Sequence, residues 1–233
     1  MGDPGGLAGD LAVNLRARSL YQGTRRVRPK GESEPEPPTP PGEDWEDFRA
    51  KVLTCTACGL CDGRTNVVFG EGSLDADLMF VGEAPGRDED VQGRPFVGRA
   101  GKLLDDMIRA MGFAREEVYI ANVLKCRPPN NRDPEPDEVA ACLPYLHHQI
   151  KRIRPKVICT LGRHALRSLS GTTAGITKVR GKPIQLLDRI LIPTYHPAYL
   201  LRNPAAKRDA WEDLKTILGI LGRPVPKTRK TRP

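Results

Sequence analysis

Asp77-Leu78-Met79-Phe80-Val81-Gly82-Glu83-Ala84-Pro85-Gly86 is the stretch whose reading decides the fold. Leu78 to Val81 are four apolar residues in succession, the length and pattern of a strand buried on both faces. The run breaks abruptly into Gly-x-x-Pro-Gly, which puts Glu83 in a loop at the carboxyl end of a parallel strand, where open α/β sheets bind their ligands. A second loop, Gly93-Arg94-Pro95-Phe96-Val97-Gly98, follows. Beyond it Leu103, Leu104, Met107, Ile108 and Met111 recur at i, i+3 and i+4 spacings, so the segment from Ala100 to Met111 is expected to be an amphipathic helix.

Working outward, three further runs have strand character: Val118 to Val123, Val157 to Leu161, and Ile190 to Thr194. Helical patterns lie between and around them, at Trp45 to Leu53, Pro136 to Ile153, Arg163 to Leu169, and from about Ala206 to Leu221. Alternation of strand and helix predicts an α/β protein, a three-layer α/β/α arrangement around a central, mainly parallel four-stranded sheet. In that topology the polar residues at three strand ends, Glu83, Asn122 and His196, converge on one site.

The chain has 233 residues, a net charge of +8 and a pI near 9.3. The basic balance raises the expectation of nucleic acid, although a mixed solvated surface would give a mild excess too. No apolar run reaches 18 residues and no secretory signal opens the chain, so a soluble, cytoplasmic protein without membrane contact is expected. Residues 1–44 combine a basic arm with a Glu- and Pro-rich block and read as a disordered leader. Residues 45–222 form the expected domain, and 223–233 a basic disordered tail.

The six cysteines favour metal ligation over disulfides in a chain without a secretory signal. Cys55 and Cys58 form a C-x-x-C pair, with Cys126 and Cys142 far downstream. Such a set suits a four-thiolate site, either tetrahedral zinc or an iron–sulfur cluster. Cys159 sits inside an apolar strand and reads as a small core residue, while Cys61 fits either role.

Several motifs fail. Gly98-Arg99-Ala100-Gly101-Lys102-Leu103 lacks the glycine and hydroxyl residue that a phosphate loop needs where Phe96 and Leu103 stand. Gly70-Glu71-Gly72 is too short for a dinucleotide fingerprint. No histidine opens the H-x-E signature of the zinc deaminases. His147-His148 is expected at the surface.

Taken together, Gly82-Glu83-Ala84-Pro85-Gly86, Gly93 to Gly98, Ile120-Ala121-Asn122-Val123-Leu124-Lys125-Cys126-Arg127-Pro128 and His196-Pro197-Ala198-Tyr199-Leu200-Leu201 resemble the family-four uracil-DNA glycosylases, the iron–sulfur members of their superfamily. The likeness runs from about Trp45 to Leu221. It implies a structural [4Fe-4S] cluster on Cys55, Cys58, Cys126 and Cys142, with Cys61 and Cys159 as non-ligands. A sister group that becomes trapped covalently on DNA carries an extra histidine-bearing loop, and Thr177 to Lys182 has no such insertion. Family five lacks the acid of the first motif, and Glu83 is present.

The resemblance also implies the chemistry. Uracil-containing DNA is the partner, a monomer acts on it in a bacterial or archaeal nucleoid, and the pocket is lined by Gly82, Glu83, Ala84, Phe96, Asn122 and His196. Phe96 would stack beneath a flipped uracil, Asn122 would read its O4 and N3–H, and His196 would donate to O2. Glu83 would orient the attacking water, with Glu89 as an assistant. Tyr199-Leu200-Leu201 would wedge into the gap left by the base. Arg94, Arg163, Lys178, Arg180, Lys182 and Arg202 are candidates for phosphate contacts. The competing expectation is a metal-stabilised DNA-binding module without turnover. The protonation state of His196 is left open by the sequence.

Overall fold

The computed structural model describes residues 44–226; residues 1–43 of the expected leader and the last seven residues of the expected tail lie outside them. Six strands form one sheet: β1 (Glu71–Gly72), β2 (Leu78–Gly82), β3 (Tyr119–Asn122), β4 (Val157–Leu161), β5 (Ile184–Leu186) and β6 (Arg189–Thr194). Their spatial order is β1-β3-β2-β4-β6-β5. The four central strands are parallel, and both edge strands are antiparallel to their neighbours. The sheet therefore has two more strands than the four expected. Both additions are short, two residues (Glu71-Gly72) and three (Ile184-Gln185-Leu186), and neither is fully buried, so they lack the unbroken apolar run that marks the centre.

The α-helices, in chain order, are α1 (Trp45–Leu53), α2 (Arg87–Gln92), α3 (Arg99–Ala110), α4 (Pro136–Ile153), α5 (Arg163–Ser170), α6 (Ile176–Val179), α7 (Pro197–Arg202) and α8 (Lys207–Ile220). One core cluster joins Met79, Val81, Ala121 and Ile158 to α1, α4 and α5. The other joins Leu78, Phe80, Ile120 and Cys159 to α3, α7 and α8. Period-2 alternation along each strand thus feeds both faces, which is the three-layer α/β/α arrangement.

Helix α2 has no apolar periodicity. It forms because Asp88, Glu89 and Asp90 crowd its positive first turn and Gly93, at φ 68°, closes its carboxyl end in the left-handed conformation. The acidic run is therefore not a solvated loop. Asp90 is buried and accepts the Thr65 backbone N–H at 2.9 Å. At the far end of the domain the Arg223 guanidinium lies 4.0 Å over the Phe113 ring. Among the described residues no helix is long and apolar enough to cross a membrane.

Candidate active site and cysteine pocket

A cleft of about 710 Å³ opens at the carboxyl ends of the parallel strands, within the range of small-molecule sites. Glu83 after β2, Asn122 at the end of β3, and His196 after β6 all line it, together with Ala84 and Phe96. Side chains up to 113 residues apart in sequence meet there because parallel strands deliver their carboxyl ends to one edge.

Backbone bonds fix the first two. Val123 N–H donates to the Gly82 carbonyl and Leu124 N–H to the Glu83 carbonyl, both at 3.0 Å, so the ends of β2 and β3 are locked in register. Asn122 is 1% exposed. Its side-chain oxygen is buried and has no hydrogen-bond partner. An orphan acceptor of this kind costs about 1–3 kcal/mol until something donates to it. Gly82 lies beneath this oxygen: a Cβ there would stand 2.3 Å from it and 2.5 Å from the edge of the Phe96 ring. Gly82 thus shapes the pocket by having no side chain.

Phe96 is buried and held at φ 52°, unusual for a non-glycine residue. Arg115 donates to its carbonyl at 3.3 Å, and two further contacts hold it there. Its loop rests on α3, where a Cβ on Gly101 would come within 2.0 Å of the Phe96 carbonyl oxygen. Glu89 supplies the second: its carboxylate accepts backbone N–H groups from Gly86 (3.1 Å), Val97 (2.9 Å) and Gly98 (2.9 Å). Glu89 is accordingly the brace that ties the Glu83 loop to the Phe96 loop.

His196 starts α7. The Ala198 backbone N–H donates to its Nδ1 at 3.1 Å, so the single proton of the neutral ring resides on Nε2. Burial pushes the His196 pKa down to about 4, assisted by Arg202 and opposed by Glu89. The imidazole is therefore neutral through the physiological range. Its ring centroid lies 5.8 Å from that of Phe96. Glu83 behaves oppositely: burial raises its pKa, with the His164 and Arg163 charges opposing and Asp133 reinforcing. Asp133, Arg163 and His164 also line the cleft, and nothing in the sequence pattern singled them out as a cluster.

At the mouth, Tyr199 and Leu201 are exposed, whereas Leu200 is buried in the core. Only the first two have the exposure a wedge requires. The basic candidates divide in the same way. The Arg180 side chain is 19% exposed and pairs with Asp213 at 2.9 Å, which removes it from the surface set. Arg94 is exposed but paired with Glu71, and Arg202 lines the cleft.

A second pocket is lined by Cys55, Cys58, Cys126 and Cys142. Cys61 stands outside it, bonded to Asp62, and Cys159 is sealed inside β4. Donors converge on the sulfurs: Arg64 on Cys126 Sγ (3.3 Å), the Lys125 backbone N–H on Cys142 Sγ (3.2 Å), and Tyr145 and the Ala57 N–H on Cys55 Sγ (3.2 and 3.4 Å). Donors of this kind stabilise thiolates, the form in which cysteine binds metal. The set fits a four-thiolate metal group.

Residues 69–215 match the family model of the uracil DNA glycosylase superfamily. The chain is 54% identical over 177 residues to a type-4 uracil-DNA glycosylase of Thermotoga maritima, covering 74% of this chain and 92% of that one. It is 51% identical over 184 residues to a type-4 uracil-DNA glycosylase of Sulfurisphaera tokodaii, covering 75% and 84%. A third relative of that name, from Archaeoglobus fulgidus, is 46% identical over 195 residues, 79% of this chain and 96% of that one. A type-5 uracil-DNA glycosylase of Pyrobaculum aerophilum is more distant, at 30%. The chain belongs to the uracil-DNA glycosylase superfamily, on the side of its type-4 members.

Proposed function

We propose that this chain is a monofunctional DNA N-glycosylase that flips deoxyuridine out of DNA and hydrolyses its N-glycosidic bond, releasing uracil for base-excision repair. The observation that carries the reading is the buried, partnerless oxygen of Asn122 on the wall of the cleft. Uracil N3–H supplies the missing donor, and uracil O4 takes the amide N–H. Cytosine presents the opposite polarity at both places and would leave buried groups unpaired, which rejects it by about 1–3 kcal/mol per group.

Extruding the nucleotide costs a few kcal/mol, least where uracil is mispaired. Phe96 offsets part of this by stacking, worth about 1–3 kcal/mol per base. As the N1–C1′ bond breaks, positive charge grows on the sugar and negative charge on uracil N1 and O2. The His196 Nε2–H, fixed by the Ala198 bond to Nδ1, donates to O2 without giving up its proton. One such preorganised donor is typically worth about 2.7–4 kcal/mol. Glu83 stabilises the sugar cation and orients the water whose oxygen bonds to C1′; the water's proton leaves through the carboxylate to solvent. Ala84 lines the pocket, and Gly82 leaves room behind it for the Asn122 and Phe96 side chains. Arg202 and the other exposed cations hold the DNA phosphates, so affinity falls steeply with salt.

Cys55, Cys58, Cys126 and Cys142 would hold a [4Fe-4S] cluster. It supplies a cross-link and no redox step, since the hydrolysis moves no electrons. The enzyme works as a monomer in the cytoplasm, at the nucleoid.

Incubation with a uracil-containing oligonucleotide followed by alkali tests the activity. Strand breaks at uracil are expected, and Asn122→Ala is expected to reduce kcat/KM by about 10²–10³-fold, the loss of two buried hydrogen bonds. Binding without any alkali-labile site would leave a DNA-binding module instead.

A further inference from the structure

The Phe96 loop is held by a group that the hydrolytic scheme above does not use. Arg115, in the short turn Arg115–Glu117 before β3, lies outside the cleft, and its side chain is 17% exposed. Its guanidinium donates to the Pro95 carbonyl at 2.5 Å and to the Phe96 carbonyl at 3.3 Å. It also donates to two carboxylates, Glu71 of β1 at 2.8 Å and Asp105 of α3. Arg94, at the start of the same loop, donates to Glu71 as well, at 2.8 Å. Burial raises the Glu71 pKa, but hydrogen bonds from Arg94 and Arg115 outweigh it and leave the carboxyl below its ordinary value. Glu71 is thus an ionised anchor for both arginines.

The placement of the two carbonyl bonds is specific. A residue's φ and ψ are the rotations of its two flanking peptide planes. The Pro95 carbonyl belongs to the plane before the Phe96 α-carbon, and the Phe96 carbonyl to the plane after it. Arg115 therefore pins both planes. The second plane is held at its other end too, since Glu89 accepts the Val97 N–H at 2.9 Å. A cation on the carbonyls and an anion on the amides together fix a backbone at φ 52°, a region that a bulky residue enters only when its surroundings impose it.

We propose that Arg115 is a positioning residue for base excision that acts through Phe96, holding the ring in the left-handed conformation that presents its face to the flipped uracil. This rests on the stacking role given to Phe96 above. Without the guanidinium the loop relaxes toward negative φ, and the ring leaves its place over Gly82 and beside the His196 imidazole. A forked donor suits this arrangement. A guanidinium spreads its N–H groups over a planar fork, enough for two carbonyls and two carboxylates at once, whereas an ammonium carries all its donors on one atom.

The test is single-turnover excision from a uracil-containing oligonucleotide with enzyme in excess. It compares wild type, Arg115→Met, Arg115→Lys, Phe96→Ala and the Phe96→Ala/Arg115→Met pair, with Tm recorded for each. Arg115→Met should lower the plateau rate roughly 5–30-fold, a coupling typical of residues in one hydrogen-bond network. The half-saturating enzyme concentration should stay within about twofold, because Arg115 stands outside the cleft. Arg115→Lys should lose less than Arg115→Met, since it keeps the charge pairs and one carbonyl bond. In the Phe96→Ala background, Arg115→Met should change the plateau rate less than about twofold. A wild-type plateau rate in Arg115→Met, at whatever Tm, overturns the inference, because the guanidinium then supports the fold alone. Equal losses in both backgrounds overturn it too. Should Arg115→Met not fold, Arg115→Lys takes its place in the two backgrounds under the same criterion. A Phe96→Ala enzyme as fast as wild type instead removes the stacking role on which the inference rests.

Discussion

The cleft and the cysteine pocket are built on opposite principles. In the cleft a polar atom is left wanting: Asn122 keeps a buried oxygen without a donor. In the cysteine pocket, donors from Arg64, Lys125, Ala57 and Tyr145 already point at sulfur. The first site stores unmet interactions for a ligand that comes and goes. The second has its surroundings arranged for a group that stays. The contrast teaches where damage should register: in rate at one site, in stability at the other.

Lys125 joins the two. It is 1% exposed, its backbone N–H serves Cys142, and its ammonium donates to the Asn122 carbonyl (2.9 Å) and to Gln149 (2.6 Å). Gln149 in turn donates to the Phe69 carbonyl and the Tyr119 hydroxyl. A polar chain therefore runs from the cysteine pocket to the end of β3 at Asn122.

The largest effect is expected from Cys142→Ser. It should abolish the broad visible absorbance and iron content of the purified protein and cost about 3–5 kcal/mol of stability, comparable to losing a native cross-link. That corresponds to a Tm drop on the order of 10 °C for a domain of this size. A colourless, zinc-loaded wild type would contradict the iron–sulfur reading while leaving the pocket intact.

Next comes the pH dependence of stability. The folded pKa of His196 is about 4, below the unfolded value of roughly 6.5. The unfolded state therefore binds the extra proton first. Stability is full above pH 6.5 and falls as pH drops toward 4, by about 2–3 kcal/mol at pH 4.5. Denaturant titrations of wild type and His196→Asn at pH 7 and 4.5 should differ by that amount. Equal losses in both proteins would mean that the imidazole is not held neutral.

Lys125→Met probes the link. It leaves the Asn122 carbonyl and the Gln149 oxygen without their donor, for a cost of about 2 kcal/mol. If the polar chain positions Asn122, kcat/KM should also fall about tenfold. A lowered Tm with unchanged kcat/KM would show the two sites to be independent. The smallest effect belongs to Cys61→Ala, which should keep the visible spectrum and change stability by less than about 0.5 kcal/mol. Loss of colour there would redraw the ligand set.

The central four strands were legible because a parallel strand covered on both faces needs an unbroken apolar run, and Leu78 to Val81 and Val157 to Leu161 each supply one. The long helices followed from apolar spacing in the same way. The edge strands and α2 escaped because they are held by pairing and capping, not by apolar pattern. Leu200 was misread as a wedge since sequence does not say which face of a six-residue helix turns inward. Glu89 was placed beside the chemistry, yet its three N–H bonds bind it into the frame. His164 and Asp133 went unnoticed: 31 positions separate them, and no spacing rule brings a loop to the first turn of a later helix.

What the sequence determined by itself was the sheet, its parallel sense and hence the edge where Glu83, Asn122 and His196 had to meet, because strand direction follows from local apolar runs and alternating helices. What only the tertiary structure decided was the state of those groups. The tautomer of His196, the orphaned oxygen of Asn122 and the Asp133, Arg163 and His164 cluster beside Glu83 depend on burial and on neighbours from distant segments. Those are set by packing in three dimensions, and order along the chain does not encode them locally.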